Sequence, residues 1–257
     1  MNLYLDQKIM MVTGGAKGIG RAIVQALAAE NAVPVIVGRN EPDNIQALET
    51  IGGKGFQVVA ELTSPAGCAG AVEKAMARFG RLDGLVNNAG VNDGVGLEHG
   101  SYEHFMSSLH RNLVHYYLMA HYALPFLKQS RGPIVNISSK TAETGQGHTS
   151  GYAASNGGRN ALTREWAVEL LPYEIRVNAV VVAECFTPLY EKWISTSKDP
   201  EAKLQSVTEK IPLGKRMTTP EEIAAMVVFL LSGRSAHTTG EIIHVDGGYV
   251  HLDRALS

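Results

Sequence analysis

Residues 9 to 20 read Ile9-Met10-Met11-Val12-Thr13-Gly14-Gly15-Ala16-Lys17-Gly18-Ile19-Gly20. A short apolar run enters a glycine turn, and a stretch with helical periodicity, 19 to 29, leaves it. Strand, glycine turn and helix in that order are the context a phosphate-binding loop requires. Glycines let the backbone approach a pyrophosphate, and the helix start offers unpaired N–H groups and the positive end of a dipole. The spacing is G-x-x-x-G-x-G. Alone it is a weak signal for a nucleotide, and its place directly after the first strand strengthens it.

Working outward, apolar runs at 33–37, 55–60, 82–86, 133–138, 175–182 and 241–245 predict six more strands. Helical patterns at 66–79, 101–128, 150–171 and 220–231 lie between them, and 190–210 is a polar, helix-prone segment. This alternation predicts an α/β protein, a single Rossmann-type doubly wound parallel sheet of about seven strands with helices on both faces. No repeat, low-complexity tract or linker interrupts residues 1–257, so one domain is expected.

Composition narrows the function classes. Hydrophobic residues make up 45% and charged residues 19%, a globular profile. The net charge of −2 produces no strong field, which argues against nucleic acid or an anionic membrane as partner. The first seven residues lack the apolar stretch of a signal peptide, and the longest apolar run, 224–231, is too short to span a bilayer, so a cytoplasmic location is expected. Cys68 and Cys185 lie far apart without metal-ligand spacing and read as free thiols. Five histidines fall between positions 99 and 121, yet with no His-Glu-x-x-His pattern and no nearby cysteine, no metal site is expected.

A second stretch carries chemistry. Residues 138–156 read SSKTAETGQGHTSGYAASN, with Ser139 thirteen residues before Tyr152 and Asn156 four after it. Ser139 closes a predicted strand, and Tyr152 and Asn156 share one face of a predicted helix. A strand-end hydroxyl and a helix-borne phenol can converge at the rim of a sheet, where α/β proteins bind ligands. Such a pair suits proton transfer at a carbinol oxygen, the phenol as acid or base and the serine as orienter. After the second strand, Arg39 stands where an acid would hold a ribose 2′-hydroxyl, and Lys17 lies in the glycine loop. Two cations there suit a 2′-phosphate, so NADP is favoured, with NAD as the alternative.

Together the loop Thr13 to Gly20, the run Asn87-Asn88-Ala89-Gly90, Ser139 and Tyr152 resemble the short-chain dehydrogenase/reductase family along nearly the whole chain. The resemblance implies an NAD(P)-dependent oxidoreductase acting on CH–OH groups, with Tyr152 and Ser139 catalytic. It implies cofactor contacts from Gly14, Lys17, Gly18, Ile19, Gly20, Arg39, Glu61, Leu62, Asn88, Gly90 and Thr187. Asn112 aligns with an asparagine that widens its helix and holds a proton-relay water. The family also implies a homotetramer through the helices at 101–128 and 150–171, with Tyr116, Tyr117 and Trp166 as anchors, and a substrate lid at about 184–215.

Three positions depart from the family pattern. Glu61 replaces an aspartate, Val182-Ala183 replaces Pro-Gly, and Asn156 stands where the family has lysine. A free tyrosine titrates near about 10, so a tyrosine base needs positive charge beside it at neutral pH. One cation at about 5 Å and an effective dielectric of ~20 is worth roughly 3 kcal/mol, or about two pKa units. Asn156 brings no charge but can bond a ribose hydroxyl. Lys140 and Arg159 are the nearby cations that can compensate. On this reading oxidation is optimal at alkaline pH, and Asn156→Lys moves the optimum down.

For the substrate, loop positions supply Asn92, Gln146, His148, Glu184, Tyr190 and Trp193, a polar set with two aromatic rings that suits a polyhydroxylated ligand. Asn92-Asp93-Gly94, the 138–142 and 144–147 segments, Thr187-Pro188-Leu189-Tyr190 and the tail 251–256 are similar to bacterial L-fucose dehydrogenases of the family. They imply hydride transfer from sugar C1 to NADP. The alternatives are a 3-oxoacyl or ketone reductase, and a cofactor-binding protein impaired by Asn156.

Overall fold

The computed structural model describes residues 1–253, so positions 254–256 of the tail motif lie outside the described residues. Seven parallel strands form one sheet in the order β3-β2-β1-β4-β5-β6-β7. They are β1 (Ile9–Thr13), β2 (Val33–Gly38), β3 (Phe56–Val59), β4 (Gly84–Asn87), β5 (Ile134–Ser139), β6 (Val177–Val182) and β7 (Ile242–Val245). β1, β4, β5 and β6 are buried along their full length, as expected of parallel strands covered on both faces. The doubly wound expectation is met.

Helices α1 (Gly18–Ala29), α2 (Glu41–Glu49), α3 (Pro65–Phe79), α4 (Tyr102–Leu109), α5 (His115–Ser130), α6 (Ser150–Glu169), α7 (Pro188–Ile194), α8 (Pro200–Thr208) and α9 (Pro220–Leu231) connect the strands. One apolar core lies between the sheet and α1 and α9, the other between the sheet and α3, α5 and α6. None of the described helices is long and apolar enough to cross a membrane.

Two local features differ from the sequence expectation, and a third matches what the resemblance implied. α2 has weak patterning, with only Asn44 and Ala47 buried; Asn40 starts it by accepting from the Asp43 N–H. The helix-prone 190–210 segment divides into α7 and α8, each capped by its own Thr187 or Asp199 and followed by proline. The segment expected as one helix at 101–128 contains a π-turn, His110–Val114, between α4 and α5. That turn is the widening the resemblance implied at Asn112.

Because the strand order reverses beside β1, the carboxyl ends of β1 and β4 open a crevice. Ser139 pairs with Val182 across β5 and β6, so the segments following both strands leave the sheet at the same rim. Under that rim Asn87 donates to Asn136 at 3.0 Å and Asn136 to Thr163 at 2.9 Å, tying β4, β5 and α6 through buried amides.

Candidate active site

A cavity of about 1090 Å³ lies along this rim. Gly14, Lys17, Gly18, Ile19, Gly20, Arg39, Glu61, Leu62, Asn88, Gly90 and Thr187 line one part of it, and Ser139, Tyr152, Val182 and Ala183 another. Every cofactor-binding position expected from the sequence is in that wall.

The walls fit a dinucleotide. The described helices α2, α3, α4, α7, α8 and α9 each begin with a side-chain oxygen bonded to a first-turn N–H. α1, like α5 and α6, has no such cap and no acid in its first turn, and its first residues, Gly18 to Gly20, line the cavity, leaving its donors and dipole for an anion there. Space for that anion depends on glycine. Gly14 has φ +63°, and a Cβ on Gly20 would lie 2.1 Å from the Gly14 carbonyl oxygen. Asn88 holds the turn by donating to the carbonyls of Thr13 (2.9 Å) and Gly14 (3.2 Å). Thr187 caps α7 and stands over Gly18.

At the adenosine end the charges are more balanced than the sequence implied. Lys17 Nζ lies 2.7 Å from Asp43 Oδ2, so α2, absent from the sequence reading, brings an acid to the first cation. Exposed Arg39 acts on Glu61, whose carboxyl is lowered first by the Thr63 backbone N–H and more weakly by Arg39. Glu61 Oε1 accepts from both the N–H and hydroxyl of Thr63 at 3.0 Å.

At the reacting end, Ser139 closes β5 and its Oγ accepts from the Thr141 N–H at 3.3 Å, which holds the side chain at the rim. Tyr152, in the first turn of α6, is half-buried against the same cavity.

Asn156 is placed differently from expectation. It is fully buried outside the cavity wall, with Nδ2 donating to the Tyr152 carbonyl (2.8 Å) and Oδ1 accepting from Arg159 Nη1 (2.9 Å). Both ends of the amide are engaged inside the protein, so it is not presented to a ribose. Asn112 also lies outside the wall. Its Oδ1 accepts from the Val91 N–H (2.7 Å), and its backbone carbonyl accepts from Arg159 Nε at 2.6 Å.

The two candidate compensating cations separate clearly. Lys140 pairs with Glu184 and lies 4.2 Å from the Tyr249 ring centroid, away from the cavity wall. Arg159 lines the cavity, 6.0 Å from the Tyr152 ring centroid. Around it, burial first and the Arg159 charge second push His115 down to about 4, and burial pushes Tyr116 up to about 12.

The expected substrate residues divide into two groups. Glu184, Tyr190 and Trp193 form a linked set, in which Glu184 hydrogen-bonds Tyr190 and the Tyr190 and Trp193 rings meet edge to face at 5.2 Å. Burial, then Glu184, raises the Tyr190 phenol. Asn92, Gln146 and His148 are exposed on loops. None of the six is in the cavity wall. Its further polar lining includes Ser107, His110, Arg111, His115 and Lys192 instead. The i, i+3, i+4 spacing of Ser107, His110 and Arg111 marked a common face, but the π-turn that swings it toward the cavity has no comparable sequence signal.

Cys185, in the cavity wall, and Cys68, outside it, are both free and buried, and burial raises the Cys68 thiol to about 11 and the Cys185 thiol to about 12. The potential metal ligands that approach one another among the described residues are not in the 99–121 run. They are Glu143, His244 and His251. Glu143 lies 3.0 Å from His244 Nε2, and His251 3.2 Å from His244 Nδ1. The two partners sit at opposite nitrogens of one imidazole, which makes a hydrogen-bonded chain rather than ligands around a point. Tyr116 and Trp166 are not surface anchors. Tyr116 is fully buried, its hydroxyl donating to the Ile137 carbonyl, and Trp166 is 7% exposed.

A nucleotide crevice opening onto a Ser–Tyr rim defines a dinucleotide-dependent oxidoreductase, and comparison with known proteins agrees. The family described as enoyl-(acyl carrier protein) reductase matches residues 14–250. The chain belongs to the short-chain dehydrogenase/reductase family, whose members act on CH–OH groups with NAD(P). The 3-oxoacyl-(acyl-carrier-protein) reductase FabG of Thermotoga maritima is 36% identical over 253 residues, covering 96% of this chain and 100% of that one. The L-fucose dehydrogenase of Bos taurus is 36% identical over 242 residues, covering 94% and 88%. The crystal structure of Cj0485 dehydrogenase has a TM-score of 0.96 at 42% identity, covering 100% and 99%.

Proposed function

We propose that this enzyme oxidises a sugar carbinol, C1 of L-fucose or a related aldose, with NADP as acceptor. The observation that carries the reading is one cavity whose wall runs from the uncapped α1 and its glycine turn to Tyr152 and Ser139. The polar lining from Ser107, His110, Arg111 and Lys192 suits hydroxyl groups better than an acyl chain. Similarity to L-fucose dehydrogenase supports the sugar class.

When bound, the cofactor supplies a hydride acceptor. Gly14, Gly18, Gly20 and the start of α1 would hold its phosphates, and Arg39 a 2′-phosphate. Ser139 donates a hydrogen bond to the carbinol oxygen and fixes its position. Tyr152 removes the hydroxyl proton as negative charge develops on that oxygen. Glu184, paired with Lys140, and Tyr190, bonded to Glu184, brace the segment following β6 that flanks the substrate side and serve as the base of the 184–215 lid. The homotetramer would use the outer faces of α5 and α6, where Tyr117 is 50% and Val168 68% exposed.

A second reading, reduction of a 3-oxoacyl thioester, draws on similarity to FabG and on basic Lys192 and Arg111 in the wall. One screen separates them: aldoses with NADP+ and NAD+ from about pH 7 to 10, beside a 3-oxoacyl thioester with NADPH, followed by cofactor absorbance. Turnover of an aldose with NADP+ is expected. Thioester reduction with no aldose turnover would move the assignment to the second reading.

A further inference from the structure

Arg159 is a buried cation with an open donor. It is 3% exposed, and no carboxylate among the described residues forms an ion pair with it. Nε donates to the Asn112 carbonyl (2.6 Å), and Nη1 to the Ile137 carbonyl (3.2 Å) and Asn156 Oδ1 (2.9 Å). Nη2 is buried without a partner. A buried guanidinium balanced only by neutral acceptors is costly, and such sites persist where the charge has work to do.

Several independent features of the fold hold that charge in place, 6.0 Å from the Tyr152 ring centroid. The π-turn contains Asn112, whose carbonyl accepts from Arg159 Nε. Gly158 lets α6 approach that turn, since a Cβ there would lie 2.8 Å from Leu113. Gly90 leaves room for Nη2, which a Cβ would meet at 2.9 Å. Tyr116 stacks on the guanidinium at 4.2 Å. Asn156, at the family's lysine position, supplies the acceptor that aims it.

We infer that Arg159 replaces the missing lysine: it is the fixed positive charge that favours loss of the Tyr152 proton, and Asn156 is its positioning residue. Arg159 acts through Tyr152 and hands on no proton, being permanently charged. The other groups around Tyr152 cannot take this part. Tyr116 on α5 is neutral, and His115, held at about 4, is neutral near pH 7. Cys185 beyond β6 is a buried thiol pushed up to about 12. Glu61 has the wrong sign, while His110, Lys192, Lys17 and Arg39 are exposed at the cavity edge and Arg111 pairs with Asp93.

The inference rests on the dehydrogenase reading for its kinetic arm only. Wild type, Arg159→Gln, Arg159→Lys and Asn156→Lys/Arg159→Met are compared with the aldose of highest turnover. In Arg159→Gln the rising, acid-side limb of the pH–kcat profile should move up by about one to two pH units, with kcat near neutrality down about ten- to a hundredfold. Arg159→Lys and the double variant, which keep a cation near the phenol, should move it by less than about half a unit. Without cofactor or substrate, near-ultraviolet titration gives the ionisation of Tyr152 by subtracting Tyr152→Phe in each background, and its onset should shift upward in Arg159→Gln. A folded Arg159→Gln with unchanged profile and titration overturns the inference. If Arg159→Gln does not fold, Arg159→Lys and the double variant decide it: a shift as large as that expected for charge loss in both overturns it. Failure of every aldose would remove the sugar reading while the titration still tests Arg159.

Discussion

Asn156→Lys restores the family's residue, and the structure expects it to damage the protein. The amide is fully buried, gives its Oδ1 to Arg159 Nη1 at 2.9 Å and its Nδ2 to the Tyr152 carbonyl at 2.8 Å. Lysine removes the acceptor, and a lost hydrogen bond to a charged group costs about 1.5–3 kcal/mol. It also sets an ammonium roughly 5 Å from a guanidinium, a repulsion of about 3 kcal/mol at an effective dielectric of ~20. The sum, about 4.5–6 kcal/mol before relaxation, is a large part of a typical domain's 5–15 kcal/mol. Urea unfolding of wild type, Asn156→Lys, Arg159→Met and the double variant measures it. The double variant should be more stable than the two single losses sum to, by at least about 2 kcal/mol. Additive losses, or Asn156→Lys with a wild-type midpoint, would refute the argument. The sequence pointed the other way, to a simple gain of charge, because it could not show that Arg159 already occupies the position.

Arg39→Ala should weaken NADP+ binding about ten- to a hundredfold and NAD+ binding less than about threefold, read by calorimetry. Asp43→Asn should tighten NADP+ about three- to tenfold by releasing Lys17 from its 2.7 Å ion pair. His115 is held at about 4 in the fold against an ordinary 6.5, so the folded state favours its neutral form. Its contribution is complete above the unfolded value and is lost as pH falls from about 6.5 toward 4, up to about 3 kcal/mol. His115→Gln should flatten that part of the stability–pH curve in chemical unfolding, and an unchanged curve would contradict the burial argument.

The sheet was legible because parallel buried strands leave unbroken apolar runs, and the glycine turn because phosphate approach demands small residues. α2 was hidden by a mostly polar surface, and with it the Asp43 partner of Lys17. The π-turn has no periodicity of its own, so neither the Asn112 contact with Arg159 nor the cavity face of Ser107, His110 and Arg111 could be read. Loop residues chosen for chemistry alone, Asn92, Gln146 and His148, proved exposed: composition names candidate side chains, but backbone path decides where they lie.

The central claim is that hydrogen leaves a sugar carbon for the nicotinamide as Tyr152 takes the hydroxyl proton. L-Fucose deuterated at C1, incubated with NADP+ and the wild-type enzyme, tests it by mass spectrometry of the reduced cofactor. The account predicts NADPH carrying the deuterium, and almost none formed by Tyr152→Phe. Unlabelled NADPH, or labelled NADPH formed equally well without the phenol hydroxyl, would contradict it.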